Sequence, residues 1–226
     1  YAFYFREGIN ESHVFKKVAR PGLLKTLRTL WRPPYVRATL MLWIVWFMVV
    51  FSYYGMFLWL PSVMVLKGFS LINSFGYVLI MTLAQLPGYF VAAWLIEKWG
   101  RKMVLSLFLL GTAASALGFG LATDLPMLLT AGMLLSFFNL GAWGALYAYS
   151  PEQYPTVVRS SGSGMAAGIG RIGGVVGPLL VGHLLGSHWS IGGIFSIFTA
   201  AILIAVLAIV FLGQETMGVK LADMLE

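Results

Sequence analysis

Two stretches decide the fold. Met103–Ala122 reads MVLSLFLLGTAASALGFGLA, and Leu125–Tyr149 reads LPMLLTAGMLLSFFNLGAWGALYAY, with only Thr123-Asp124 between them. Neither contains a charged side chain. A helix rises 1.5 Å per residue, so about 20 such residues cross a ~30 Å hydrocarbon core. The runs lack the apolar–polar alternation of a membrane barrel strand, so helices are expected. Four more long apolar stretches, uncharged but for Arg171, follow outward from this pair: Ala38–Met64, Leu71–Ile96, Gly162–Leu185 and Ser190–Leu212. Ser150-Pro151-Glu152 is expected to stop the fourth span, and Pro87-Gly88 to kink the second. The spacing predicts an all-α membrane protein, a bundle of six transmembrane helices. Residues 1–37 form a cytoplasmic segment, 38–212 the six spans, and 213–226 a cytoplasmic tail.

The composition agrees. Of 226 residues, 59% are hydrophobic and 10% charged, against about 25% charged in a soluble domain. That leaves too few polar side chains to cover a water-facing surface, so the solvent is lipid, and an integral multi-pass protein is expected. The net charge of +7 would suggest nucleic acid in a soluble protein. Here every Lys and Arg except Lys67 and Arg171 falls on one side of the predicted membrane, which places both termini in the cytoplasm. The basic balance is therefore explained without nucleic acid. With no cysteine, disulfides and thiolate sites are excluded. His183 and His188 lack an acidic neighbour, His13 lies in the N-terminal segment, and no nucleophile–base pair or phosphate loop occurs. No metal, cofactor or enzyme chemistry is expected. The chain begins at Tyr1 rather than Met, which leads us to expect a piece of a longer protein.

Before the first span, Leu23, Leu24, Leu27, Leu30 and Trp31 recur at helical spacing with Lys25, Arg28 and Arg32 between them. Pro21 can open this helix and Pro33-Pro34 end it. The pattern predicts a short amphipathic helix on the inner leaflet. The fifth span carries Gly170, Gly173, Gly174 and Gly177, at the small-residue spacing that lets a second helix approach. The same span holds Arg171, about nine residues in, or ~13 Å along the helix. A charge so deep faces a cavity or an opposite charge. Because no acidic residue lies within a span, its partner is a carboxylate from elsewhere, backbone carbonyls or an anionic ligand. Tyr54 and Trp46 in the first span, Gln85 in the second, and Asn139 and Tyr147 in the fourth lie deep enough to line a cavity with Arg171; the same residues can also serve as glue between helices.

Three strings resemble the C-terminal half of the major facilitator superfamily. Ala93-Trp94-Leu95-Ile96-Glu97-Lys98-Trp99-Gly100-Arg101-Lys102 is similar to its Gly-x-x-x-Asp-Arg-x-Gly-Arg-Arg loop, with Ala and Glu in place of Gly and Asp. Pro151-Glu152-Gln153-Tyr154-Pro155-Thr156-Val157-Val158-Arg159 resembles Pro-Glu-x-Tyr-Pro-Thr-x-x-Arg, and Gln214-Glu215-Thr216-Met217-Gly218 resembles the tail Pro-Glu-Thr-Lys-Gly. The likeness covers roughly residues 35–222. These are loops of the sugar porters, but the glutamine-rich seventh span of that group is not seen. Gly170-Arg171-Ile172-Gly173-Gly174-Val175-Val176-Gly177-Pro178 looks more like the organic-ion and bacterial niacin or aromatic-acid carriers. The resemblance implies one six-helix half of a twelve-span fold, whose N-terminal six-helix partner is supplied by the same polypeptide or a second subunit. It implies a secondary transporter working by alternating access and coupled to protons, in a bacterial cell membrane. In that group an Arg at position 171 goes with anionic substrates, so an aromatic or heterocyclic carboxylate is expected, with a sugar or other metabolite as the alternative. Arg171 would bind the carboxylate, and Glu97, Arg101, Glu152 and Arg159 would be gate charges. A sensor or scaffold on the same fold is the reading from another class.

Overall fold

A computed structural model describes residues 22–218. The expectations for Arg6, His13, Lys16, Lys17, Arg20, Pro21 and Lys220 fall outside that range. Nine helices are described: α1 (Leu23–Leu30), α2 (Val36–Phe57), α3 (Leu60–Leu66), α4 (Leu71–Leu83), α5 (Gln85–Trp99), α6 (Arg101–Leu121), α7 (Leu125–Glu152), α8 (Arg159–Gly186) and α9 (Ile191–Leu212). Six stretches are long and apolar enough to span a membrane: α2, α4–α5 together, α6, α7, α8 and α9.

Where the helices break, proline is the cause. The first span is interrupted at Leu58 and Trp59, because Pro61 has no N–H to offer the Phe57 carbonyl. The second breaks at Ala84, one turn before the expected kink at Pro87, since the carbonyl that Pro87 leaves unbonded belongs to Leu83. The Ala84 N–H closes the break with a tighter bond to Met81 at 3.2 Å. Ser150-Pro151 does not stop the fourth span as expected. α7 absorbs Pro151 and ends at Glu152, because one lost bond near a terminus costs little when the last carbonyls find other partners. The N-termini of α4, α7 and α9 are capped by Ser70, Asp124 and Ser190, each accepting from the N–H three residues on.

The most extensive packing joins α8 to α2. The two helices run in the same direction, with Gly170 against Trp46 and Val50, Gly173 against Phe47 and Phe51, and Gly177 against Phe51 and Gly55. A Cβ on Gly173 would lie 2.5 Å from the Phe47 carbonyl oxygen, and one on Gly177 would overlap the Phe51 carbonyl. The glycines thus allow backbone to touch backbone, which is how membrane helices gain contact when lipid removes the hydrophobic drive. α9 packs on α6 and α2, and α7 on α5 and α6. The α5–α7 crossing repeats the device, since a Cβ on Gly88 would overlap the Phe137 carbonyl. α1 is docked by the Thr39 hydroxyl, which donates to the Leu30 carbonyl at 2.9 Å and accepts from Tyr154 at 3.0 Å. Its Arg28 is exposed, as is Arg32 in the bend beyond it, and Trp31 at its C-cap meets Trp43 edge-on at 4.9 Å. On the opposite side of the bundle, Lys67 donates to the Ala122 carbonyl at 2.8 Å, closing the end of α6; burial pushes its pKa down.

Large side chains cannot be inserted at the α2–α8 contact. In the full-length protein, Gly173→Val is expected to lose about 1–3 kcal/mol by overpacking and to lower the melting temperature in detergent. Gly118→Ala, whose Cβ would meet only Ala131 at an ordinary 3.8 Å, is expected to be neutral or to gain up to about 1 kcal/mol of helix propensity. Equal melting curves for the two variants would contradict the packing described.

Candidate functional site

Turning Gly170, Gly173 and Gly177 toward α2 leaves Arg171 on the free side of α8. Its side chain is exposed, and its Nη1 lies 3.5 Å from the Tyr54 hydroxyl. No carboxylate pairs with it among the described residues. From Tyr54 a chain of rings leads across the face. Tyr54 meets Tyr53 edge-on at 5.3 Å, Tyr53 stacks on Phe57 at 4.7 Å, and Tyr53 meets Trp143 at 5.4 Å. Trp143 lies 5.7 Å from Tyr147, which is exposed. Gln85, half-buried, lies beside the Tyr53 hydroxyl. Arg171, Tyr54, Gln85 and Tyr147 are thereby brought onto one continuous polar-aromatic surface built from α8, α2, α5 and α7.

Two residues expected on that surface sit beneath it. Trp46 is 2% exposed; its indole N–H donates to Ser150 Oγ at 2.9 Å, and its ring supports Trp143 and Tyr147 edge-on at 5.9 and 5.0 Å. Asn139 is 1% exposed, with its Oδ1 unbonded among the described residues. Trp46 is covered by Ser150 of α7 and Gly170 of α8, neighbours that spacing along one helix does not define. Conversely, Tyr53 and Trp143 join the surface, and so does Tyr89. The Tyr89 ring lies 3.1 Å from where a Cβ on Gly144 would stand, so Gly144 admits it against α7. The available signal was its position four residues after Gln85, on the same face of α5.

At the Arg101 end of the bundle the three quoted loop strings meet. Arg101 pairs with Glu97 at 2.8 Å and Glu152 at 3.3 Å, and also donates to the Ile96 carbonyl at 3.1 Å. Glu215 accepts the N–H groups of Arg101 and Lys102 at 3.0 and 3.1 Å, placing a carboxylate on the N-terminus of α6. Gly100 makes room for it. Its φ is +90°, and a Cβ there would stand 2.5 Å from Glu215 Oε2. Lys102 caps α9 through the carbonyls of Val210 and Gly213, both at 3.0 Å. Thr216 bonds Glu152, and Tyr149 and Gln153 donate to the Gln214 carbonyl at 2.8 and 3.0 Å. Arg159 stands apart from the carboxylates and caps α7 through the carbonyls of Pro151 and Tyr154, each at 3.1 Å. Glu215 was legible as part of a string but not as a member of this cluster. The clue is that the N–H groups opening α6 after Gly100 require an acceptor.

The Major Facilitator Superfamily model matches residues 74–221. The chain is 60% identical over 223 residues to a Bacillus subtilis (strain 168) protein, NiaP, named for niacin and nicotinamide transport, covering 98% of this chain and 56% of that one. It is 50% identical over 205 residues to the niacin transporter NiaP of Acinetobacter baylyi, covering 91% and 46%. It is 32% identical over 187 residues to the 3-(3-hydroxy-phenyl)propionate transporter of Escherichia coli, covering 82% and 46%. Among solved structures, FucP in its outward conformation superposes with a TM-score of 0.82 at 17% identity, over 94% of this chain and 51% of that one. This chain spans about half the length of the relatives it matches. The six-helix bundle is therefore one half of the shared fold, and the chain belongs to the major facilitator superfamily.

Proposed function

We propose that this chain is the C-terminal half of a secondary transporter for a small aromatic or heterocyclic carboxylate of the niacin type. The observation that carries the proposal is Arg171, an intramembrane cation without a carboxylate partner among the described residues, at the edge of a wall of aromatic rings. A carboxylate supplies the missing charge through a charge-assisted, two-pronged contact, and a flat ring finds offset or edge-on partners in Tyr53, Tyr54, Trp143 and Tyr147. Gln85 offers an amide to a ring nitrogen or substituent. Trp46 and Asn139 hold the wall from behind. The identity to two proteins named for niacin transport supports the same substrate class.

The N-terminal half, from the same polypeptide or a second subunit, forms the opposite wall, and the two rock about the midplane site in alternating access. Proton coupling is part of the proposal; with no Asp or Glu in the middle of a described span, the coupling acid belongs to the other half. Both termini lie in the cytoplasm of a bacterial cell, and the chain performs no enzymatic step. Glu97, Arg101 and Glu152, with Glu215 and Thr216, form a breakable lock among the inner ends of α5, α6 and α7 and the tail, while Arg159 holds the α7–α8 turn.

Two measurements test the proposal in the full-length protein. Arg171→Gln removes a charged hydrogen bond of about 1.5–3 kcal/mol and is expected to raise KM for niacin uptake by roughly 10- to 100-fold, with partial recovery in Arg171→Lys. An unchanged KM in the Gln variant would end the carboxylate role. Gly100→Ala forces a side chain into a glycine-only conformation, at about 1–3 kcal/mol, and into Glu215. It is expected to speed proteolysis of the chain after Gly213 and to lower Vmax with KM within about twofold. A tail as resistant as in the parent protein would refute the lock.

A further inference from the structure

A cavity of about 170 Å³ opens at the Arg101 end of the bundle, away from the polar-aromatic wall. It is lined by Tyr35, Arg37 and Ala38 at the start of α2, Leu212 at the end of α9, and Gln153 and Gln214. Among the described residues Arg37 is its only charged lining residue. Its Nε donates to the Leu212 carbonyl at 3.1 Å and its Nη2 to the Phe211 carbonyl, so it caps α9, while its Nη1 makes no hydrogen bond among the described residues. No acidic residue lines the cavity among the described residues. The nearby carboxylates in sequence, Glu152 and Glu215, are occupied by Arg101, Thr216 and the N–H groups of α6. A free guanidinium edge, the Gln214 carboxamide and the Tyr35 phenol around a small cavity suit a phosphate, while the Gln153 carboxamide is held by the Gln214 backbone.

What lies beside the cavity identifies the bearer of that phosphate. From Arg37 the exposed face of α2 continues to Leu40, and from Leu212 the exposed face of α9 continues through Phe211, Val210, Leu207, Ile204 and Leu203. A polar, cationic niche therefore leads directly onto an apolar strip at the level where a membrane-spanning helix enters lipid. α1 adds Arg28, and the bend after it adds Arg32, both exposed and without an ion pair among the described residues. Basic niches between spanning helices and juxtamembrane Arg clusters attract anionic headgroups at about 1 kcal/mol per cation.

We infer that the cavity at Arg37 seats the phosphate headgroup of an anionic phospholipid, whose acyl chains lie along the exposed strip of α9, with Arg28 and Arg32 adding attraction at the surface. The site is separate from the substrate wall, and the inference rests on the membrane-spanning fold rather than on the substrate. It ties α1, α2, α9 and the α7–α8 turn together from the lipid side.

The test uses the purified full-length transporter, with bound lipid counted by native mass spectrometry and melting followed with each probe added in turn. Phosphatidylglycerol is expected to remain bound and to raise the melting temperature. Phosphatidylcholine and inorganic phosphate are expected to do neither. Arg37→Gln should lower the bound phosphatidylglycerol population about fivefold. Because Arg37 also caps α9, Ala38→Phe provides a second variant that fills the cavity and leaves the guanidinium in place; it should lower retention likewise. Equal retention of phosphatidylcholine, an equal melting shift with inorganic phosphate, or unchanged phosphatidylglycerol retention in a folded Ala38→Phe variant would overturn the assignment.

Discussion

The backbone contact between α2 and α8 is the constraint on which the candidate site depends. In lipid, two helices gain little by burying apolar side chains, because the tails they displace are equally apolar. Contact must come from close fit. Gly170, Gly173 and Gly177 supply it by bringing the α8 backbone onto the carbonyls of Trp46, Phe47 and Phe51. A helix turns about 100° per residue, so committing those glycines to α2 leaves Arg171 no place in the contact and sends it to the free side, within reach of Tyr54. Packing and site are therefore one arrangement. A residue that loosened the glycine contact would also rotate or displace the arginine.

The charge cluster follows a different logic. A span's end carries unsatisfied N–H or C=O groups at the level where lipid gives way to water. The chain satisfies them with side chains from distant segments: Glu215 on the start of α6, Lys102 and Arg37 on the end of α9, Arg159 on the end of α7. Exposed ion pairs contribute little individually. Here each charge serves a helix terminus as well as an opposite charge, so breaking one contact exposes backbone groups too. That dual use makes the cluster suitable for a lock that closes firmly and still opens.

How far the sequence was legible depends on what each residue answers to. The spans answer to lipid, which requires long uncharged runs, and these stand out without any knowledge of neighbours. The depth of Arg171 is likewise a matter of counting along one helix. Neighbours across helices are not. Trp46 precedes Tyr53 and Tyr54 by about two turns and looked equally suited to the cavity, yet the α2–α7 crossing buries it against Ser150. Tyr89 shares a helix face with Gln85, but its place against α7 depends on the absence of a side chain at Gly144, far along the chain. Arg159 looked like a gate charge by its string and proved to serve carbonyls. Pro87 and Pro151 show the same limit at short range. The sequence locates a proline, but whether the helix breaks depends on what else can satisfy the carbonyl four residues earlier.

The uneven covering of the spans bears on how the half is used. α4–α5 and α8 are the least buried of the six, while α2, α6 and α9 are about half covered. Lipid can cover exposed Leu, Ile and Phe on any of them. It cannot cover Arg171, whose charge in hydrocarbon would cost several kcal/mol, nor can it satisfy Gln85 and the tyrosine hydroxyls on the same side. The faces of α2, α5, α7 and α8 that carry these groups are therefore turned toward a polar neighbour or a water-filled space, while the outer face of α9, apolar from Ala200 to Phe211, is turned toward lipid. This division gives the bundle two unlike sides. On the proposed reading, in which this wall meets water and ligand in turn, amphipathic Tyr, Trp and Gln are favoured over plain hydrocarbon. The side that meets lipid need only remain apolar along its length, with cations placed where the hydrocarbon ends.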